Sequence, residues 1–146
     1  MSYLSKAKKP VPKPPMITIV GTPGAGKTSL GAMFPNAIIL PTEDGTSVFE
    51  NWDDELQPTV LPRLPKSSKD EAGNMTRSSS AVLMQIMDEL INTDHEHKTL
   101  VVDSVTSLDG LFGHEIALRD GVNTVADASG GFHKGYAEVA SWHADF

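Results

Sequence analysis

Cysteine is missing from all 146 residues. That excludes disulfide bonds and thiolate metal centres, and it suits a cytoplasmic protein. No apolar run approaches the roughly 20 residues that a helix needs to cross a bilayer, so no membrane contact is expected. The first 15 residues, MSYLSKAKKPVPKPP, contain no acid and no apolar core of the kind that marks a secretory signal. Four prolines between residues 10 and 15 forbid helices and strand ladders there, so 1–15 reads as a flexible basic tail. Net charge is −7; with Lys6, Lys8, Lys9 and Lys13 set apart in that tail, the remainder carries −11. A uniformly basic nucleic-acid binder is excluded, but a local basic patch or arm is not. At 39% hydrophobic, the chain has enough apolar side chains for one buried core.

Three short apolar runs read as buried strands: MITIV (16–20), AIIL (37–40) and TLVVD (99–103). A short strand is expected near 59–61. A short helix should start near Lys27 and stop before Pro35. Apolar residues at 83, 84, 87, 90 and 91 define one helical face, with Ser79 or Ser80 as its cap. Helices are also expected over SLDGLFGHEIAL and from HKGYAEV onward. Residues 43–55 hold six acids and no base, and PKSSKDEAGNMTRSSS reads as a polar loop of low structure. Strands alternating with helices predict an α/β fold with a mainly parallel sheet.

Behind MITIV stands GTPGAGKTSL. Gly21-Thr22-Pro23-Gly24-Ala25-Gly26-Lys27-Thr28 satisfies the P-loop pattern GxxxxGK[ST] in full, with a strand expected before it and a helix after. A random chain of this length matches about once in two hundred at average residue usage. The glycines let successive amide N–H groups turn inward toward phosphate oxygens. Lys27 is placed to bridge β- and γ-phosphates, and Thr28, backed by Ser29, to offer its hydroxyl to Mg²⁺. Such a site needs a second acid at a strand end, and Asp103 supplies it. Read alone, Asp103 could equally cap the helix that follows. Hydrolysis also needs a residue to orient water. The position after Asp103 is Ser104, so the acid must come from elsewhere. Glu43, just past the second strand, should face the same sheet edge; its plainer reading is a turn acid in an acidic loop.

Together GTPGAGKTSLGAMFPNAIIL, the acid in PTEDG and KTLVVDSVTSL resemble the RecA-like ATPases. More narrowly, with GGFHKGYAEVASW, the chain is similar to phage ATP-binding proteins that include single-strand annealing recombinases. The resemblance spans about 16–146 and implies a three-layer RecA-like fold, ATP and Mg²⁺ as ligands, and Glu43 as the catalytic glutamate. It also implies single-stranded DNA as partner and a homo-oligomer with ATP at subunit interfaces. Pro41, two positions before that glutamate, stands where the family often carries an acid or another residue, a minor departure. RecA-like cores continue into further strands, one of them between the P-loop strand and the Asp103 strand. The resemblance therefore implies that 16–146 is the N-terminal part of such a core, with an open slot between MITIV and TLVVD.

Weaker signals have plain alternatives. Residues 123–131 with His133 and Lys134 lie where RecA-like proteins carry a DNA-contacting loop, yet they also read as ordinary surface. The lysine-rich tail reads as a solvated arm, with contact to DNA phosphates or a neighbouring subunit as the alternative. DHEH (94–97) has metal-ligating residue types without a distant partner. Trp52 and Trp142 could stack bases or fill the core. Asn123 to Asp127 lacks the lysine of a guanine-reading motif. Two rivals stand beside the ATPase reading. One is a small-molecule or nucleotide kinase, although only Arg63, Arg77 and Arg119 are present for a lid. The other is a nucleotide-binding interaction module without turnover.

Overall fold

The computed structural model describes residues 13–144. Most of the basic tail, 1–12, and the last two residues lie outside them. Three strands, β1 (Ala37–Pro41), β2 (Thr59–Val60) and β5 (Thr99–Asp103), form a parallel sheet in the order β2-β1-β5. Ile38 pairs with Leu100 and Pro41 with Asp103, so β1 and β5 end side by side. Pro41 closes β1 where β2 no longer runs beside it, so its missing N–H interrupts no ladder.

Both faces of the sheet are covered, which is why its strands are continuously apolar. Leu40, Leu100 and Val102 face one core. There they meet Leu83 of α2 (Ser79–Asn92), Leu108, Phe112 and Ile116 of α3 (Val105–Asp120), and Val139 of α4 (Lys134–Ala144). Ile39 and Val101 face the other core, with Ala32 of α1 (Lys27–Ala32), Phe49 and Trp52. The result is a three-layer α/β arrangement. Each fully buried side chain such as Phe112 or Ile39 contributes about 1.5–3 kcal/mol. Trp142 packs edge-on against Phe112 and Trp52 against Phe49, so both tryptophans serve the cores.

Three expectations need correction. MITIV forms no strand; among the described residues it joins no ladder, with Met16 92% and Val20 90% exposed. An apolar β-branched run becomes a strand only where a neighbour's amides and carbonyls complete it. The polar stretch after Leu64 is not structureless. It makes an antiparallel hairpin of β3 (Ser68–Lys69) and β4 (Met75–Arg77). The Asp70 carboxylate closes its turn by accepting from the Asn74 N–H. The cap of α2 is Ser78, whose hydroxyl accepts from the Ala81 N–H.

Ser79 instead bonds Ser67 and the Pro65 carbonyl, and Ser80 bonds Glu115 of α3, which is only 6% exposed. Glu115 accepts from the hydroxyls of Ser67, Ser78 and Ser80 and from the Ser80 N–H, at 2.6–3.0 Å. Burial alone would push this carboxyl up. The bonds from Ser78, Ser80 and Ser67 outweigh it and hold the group below the usual carboxylate range.

Candidate functional site

The loop 21–26 folds tightly because two of its glycines take left-handed backbone, Gly24 at φ 78° and Gly26 at φ 81°. The Ala25 N–H closes a turn onto the Thr22 carbonyl, and the Leu30 N–H starts α1 on the Gly26 carbonyl. Lys27 curls back over the loop, its Nζ donating to the carbonyls of Gly21 and Thr22 at 2.9 Å each. The ammonium thus lies across the loop mouth, where an incoming phosphate would meet it.

Thr28, in the first turn of α1, donates its hydroxyl to Asp103 Oδ2 at 2.6 Å across 75 residues of sequence. Asp103 does not cap α3. Ser104 does, accepting from the Ser107 N–H. The Asp103–Ser104 peptide is cis. Ser29 stands beside Thr28 in α1, outside this set of bonds.

The ends of β1 and β5 are tied together beyond the ladder. Thr42, 2% exposed, donates its hydroxyl to the Ser104 carbonyl at 2.7 Å and accepts the Ser104 N–H at 2.8 Å. Its own N–H donates to the Asp103 carbonyl at 2.8 Å. Glu43 follows directly, exposed on the same edge, and accepts the Ser107 hydroxyl at 2.6 Å. Lys27, Thr28, Asp103 and Glu43 therefore converge at one end of the sheet through α1, β5 and β1. Sequence reading missed Thr42 and Ser107 as parts of this edge. Their signal was thin: a threonine between Pro41 and the acid, and serines three apart after the strand.

The group fits a divalent cation by donor chemistry. A hydroxyl and a carboxylate already in contact offer only hard oxygen ligands, as Mg²⁺ requires, with phosphate oxygens and water left to complete the set. A separate concavity walled by Met33, Phe34, Trp52, Leu56 and His97 lies at the opposite end of β1, away from these groups. Among the described residues no cluster of three metal-ligating side chains occurs, DHEH included.

The segment 123–134 lies elsewhere. It follows the far end of α3, whose 16 residues span about 24 Å. Ser129, Gly130, Gly131, Phe132 and His133 all have positive φ, between 54° and 87°. Phe132 is 93% exposed, and the His133 ring stacks on Tyr136 with centroids 5.8 Å apart. The segment is braced by Arg119, which binds Asp120 and Glu138, while Glu138 also accepts from Ser129. The bonds from Arg119, then Ser129, hold Glu138 below its usual range.

A glycine-rich loop opening a helix, with a threonine hydroxyl bonded to the carboxylate that ends β5 of a parallel sheet, has the arrangement of a P-loop nucleotide-binding protein. A sequence model of the AAA domain family matches residues 13–146, and the chain belongs to that family. No curated protein and no solved structure matches the chain. Among the described residues no helix is long and apolar enough to cross a membrane.

Proposed function

We propose that the protein is a RecA-like ATPase, of the phage recombination and annealing kind, that binds Mg·ATP at 21–29 and hydrolyses it. The observation that carries this reading is the Thr28–Asp103 bond with Glu43 on the adjoining strand end. The loop amides and Lys27 take the phosphates and neutralise charge as the terminal phosphoryl group leaves. Thr28 and Asp103 would hold the cation, which would supply neutralisation of the phosphate charge. Glu43 orients a water molecule in line and accepts its proton. The water oxygen bonds to the γ-phosphorus as the bond to the bridging oxygen breaks, giving ADP and phosphate.

Single-stranded DNA is the proposed partner. The support is the exposed Phe132, the His133–Tyr136 stack and the adjacent Lys134, aromatic faces beside a cation. Subunits assemble with ATP at their contacts, in the cytoplasm of the host. The kinase alternative gains no support from Arg119, which is held by Asp120 and Glu138. Phosphate release measured with and without single-stranded DNA tests the reading. DNA-stimulated release is expected. Consumption that depends on a small acceptor would make the protein a kinase, and nucleotide binding without turnover an interaction module.

A further inference from the structure

We infer that Ser107 is a positioning residue that holds Glu43 in its working orientation, an inference that rests on the role proposed for Glu43. Glu43 is exposed, lies just past the end of β1 and is followed by Asp44-Gly45. Nothing in the strand fixes its side-chain rotamers. Among the described residues its carboxylate has one hydrogen bond, from the Ser107 hydroxyl to Oε2 at 2.6 Å. The other oxygen, Oε1, is left to take a proton from water.

Ser107 is itself held. Its N–H donates to Ser104 Oγ at 3.3 Å, and the Ser104 hydroxyl donates to Ser107 Oγ at 3.3 Å. The hydroxyl protons thus point one way, from Ser104 to Ser107 to Glu43. The Ser104 backbone is clamped by Thr42, the residue before Glu43. Acid and anchor therefore hang from the same clamped pair of strand ends, which keeps the Ser107 hydroxyl within reach of the Glu43 carboxylate. A carboxylate anchored at one oxygen only can present the other along a single direction, which water orientation requires.

The test uses the full chain and separates kcat from KM for ATP, with nucleotide affinity measured by equilibrium titration. Ser107→Ala should lower kcat about 10-fold while KM and affinity change less than about 2-fold, since the lost bond orients but does not bind nucleotide. Ser107→Thr keeps the hydroxyl and should recover most of the loss. In a Glu43→Gln background, Ser107→Ala should cost nothing further. An equal loss in both backgrounds, or no rescue by threonine, would overturn the inference. A slow Glu43→Gln beside an unimpaired Ser107→Ala would overturn it alone. Wild-type turnover in Glu43→Gln would overturn the assignment of Glu43 and this inference with it.

Discussion

Replacing Glu115 tests whether a buried carboxylate holds α3 in place. The side chain is 6% exposed and accepts four hydrogen bonds, three from serine hydroxyls and one from the Ser80 N–H. Bonds to a charged group contribute about 1.5–3 kcal/mol each, which sets an upper bound near 6–12 kcal/mol for four. Much of that is not lost on deletion. Water can reach the N-terminal turn of α2, and removing the carboxylate also removes its desolvation cost. Breaking one side of a buried polar network costs about 3–5 kcal/mol, and that is the expectation for Glu115→Ala. Glu115→Gln keeps the shape and one acceptor oxygen and should cost about 1–2 kcal/mol.

The pH dependence has a definite sign. The folded carboxyl is held below its unfolded value, so its contribution is complete above the ordinary glutamate range and is lost as pH falls through the folded value. Urea unfolding followed by circular dichroism at pH 7 and near pH 4 measures both effects. The wild type should lose more stability on acidification than Glu115→Gln does. Wild-type stability in Glu115→Ala, within 1 kcal/mol, would refute the reasoning, as would equal acid losses in wild type and Glu115→Gln.

Lys27→Ala should abolish or severely weaken ATP binding while the melting temperature stays within a few degrees, because among the described residues Nζ bonds only loop carbonyls; unchanged affinity by titration would remove the P-loop assignment. Glu43→Gln should keep Mg·ATP affinity and slow phosphate release by about 10²-fold or more. Thr28→Val should weaken nucleotide binding chiefly when Mg²⁺ is present, so a titration with EDTA should bring variant and wild type together. Gly135→Ala should destabilise by about 3 kcal/mol in a thermal melt, since a Cβ there would stand 2.0 Å from the Val125 carbonyl oxygen and push α4 away from the segment that precedes it.

Sequence served best where a local pattern and a buried environment agree. AIIL and TLVVD are legible because a strand covered on both faces has nothing polar to show. MITIV has the same composition and no ladder, because pairing is a property of two segments and one segment's residues describe only half of it. The 68–77 hairpin hid for the opposite reason: its strands are two and three residues long, polar and mostly exposed. Three serines in a row made the cap of α2 ambiguous by one residue. Ser78 alone takes the Ala81 N–H, while Ser79 is held by Ser67 and Pro65, 12 and 14 positions away, and the Ser80 N–H goes to Glu115, 35 away. At the site, the placement of Thr28, Asp103 and Glu43 along one sheet edge was readable from spacing. Thr42 and Ser107 were not, because a hydroxyl gains its meaning from the partner it meets across 62 or 64 residues.

The pairing of Pro41 with Asp103 makes the sheet a calliper. Its jaws are Glu43, two residues past one tip, and Asp103 at the other. Sliding one strand by a single residue would shift the jaws by about 3.3 Å and turn each apolar side chain to the wrong face. Chain length between the jaws is a different matter. The acidic turns and the turn of the hairpin lie in that span without setting the gap, so insertions are tolerable there and intolerable at the tips. Two extra residues in the Asp70–Gly73 turn should leave turnover intact, whereas one extra residue after Pro41 should abolish it in a protein that still binds nucleotide. Over long divergence, proteins sharing this edge should therefore differ most in length at the acidic turns and the hairpin turn, and least in the two or three residues beyond each strand end.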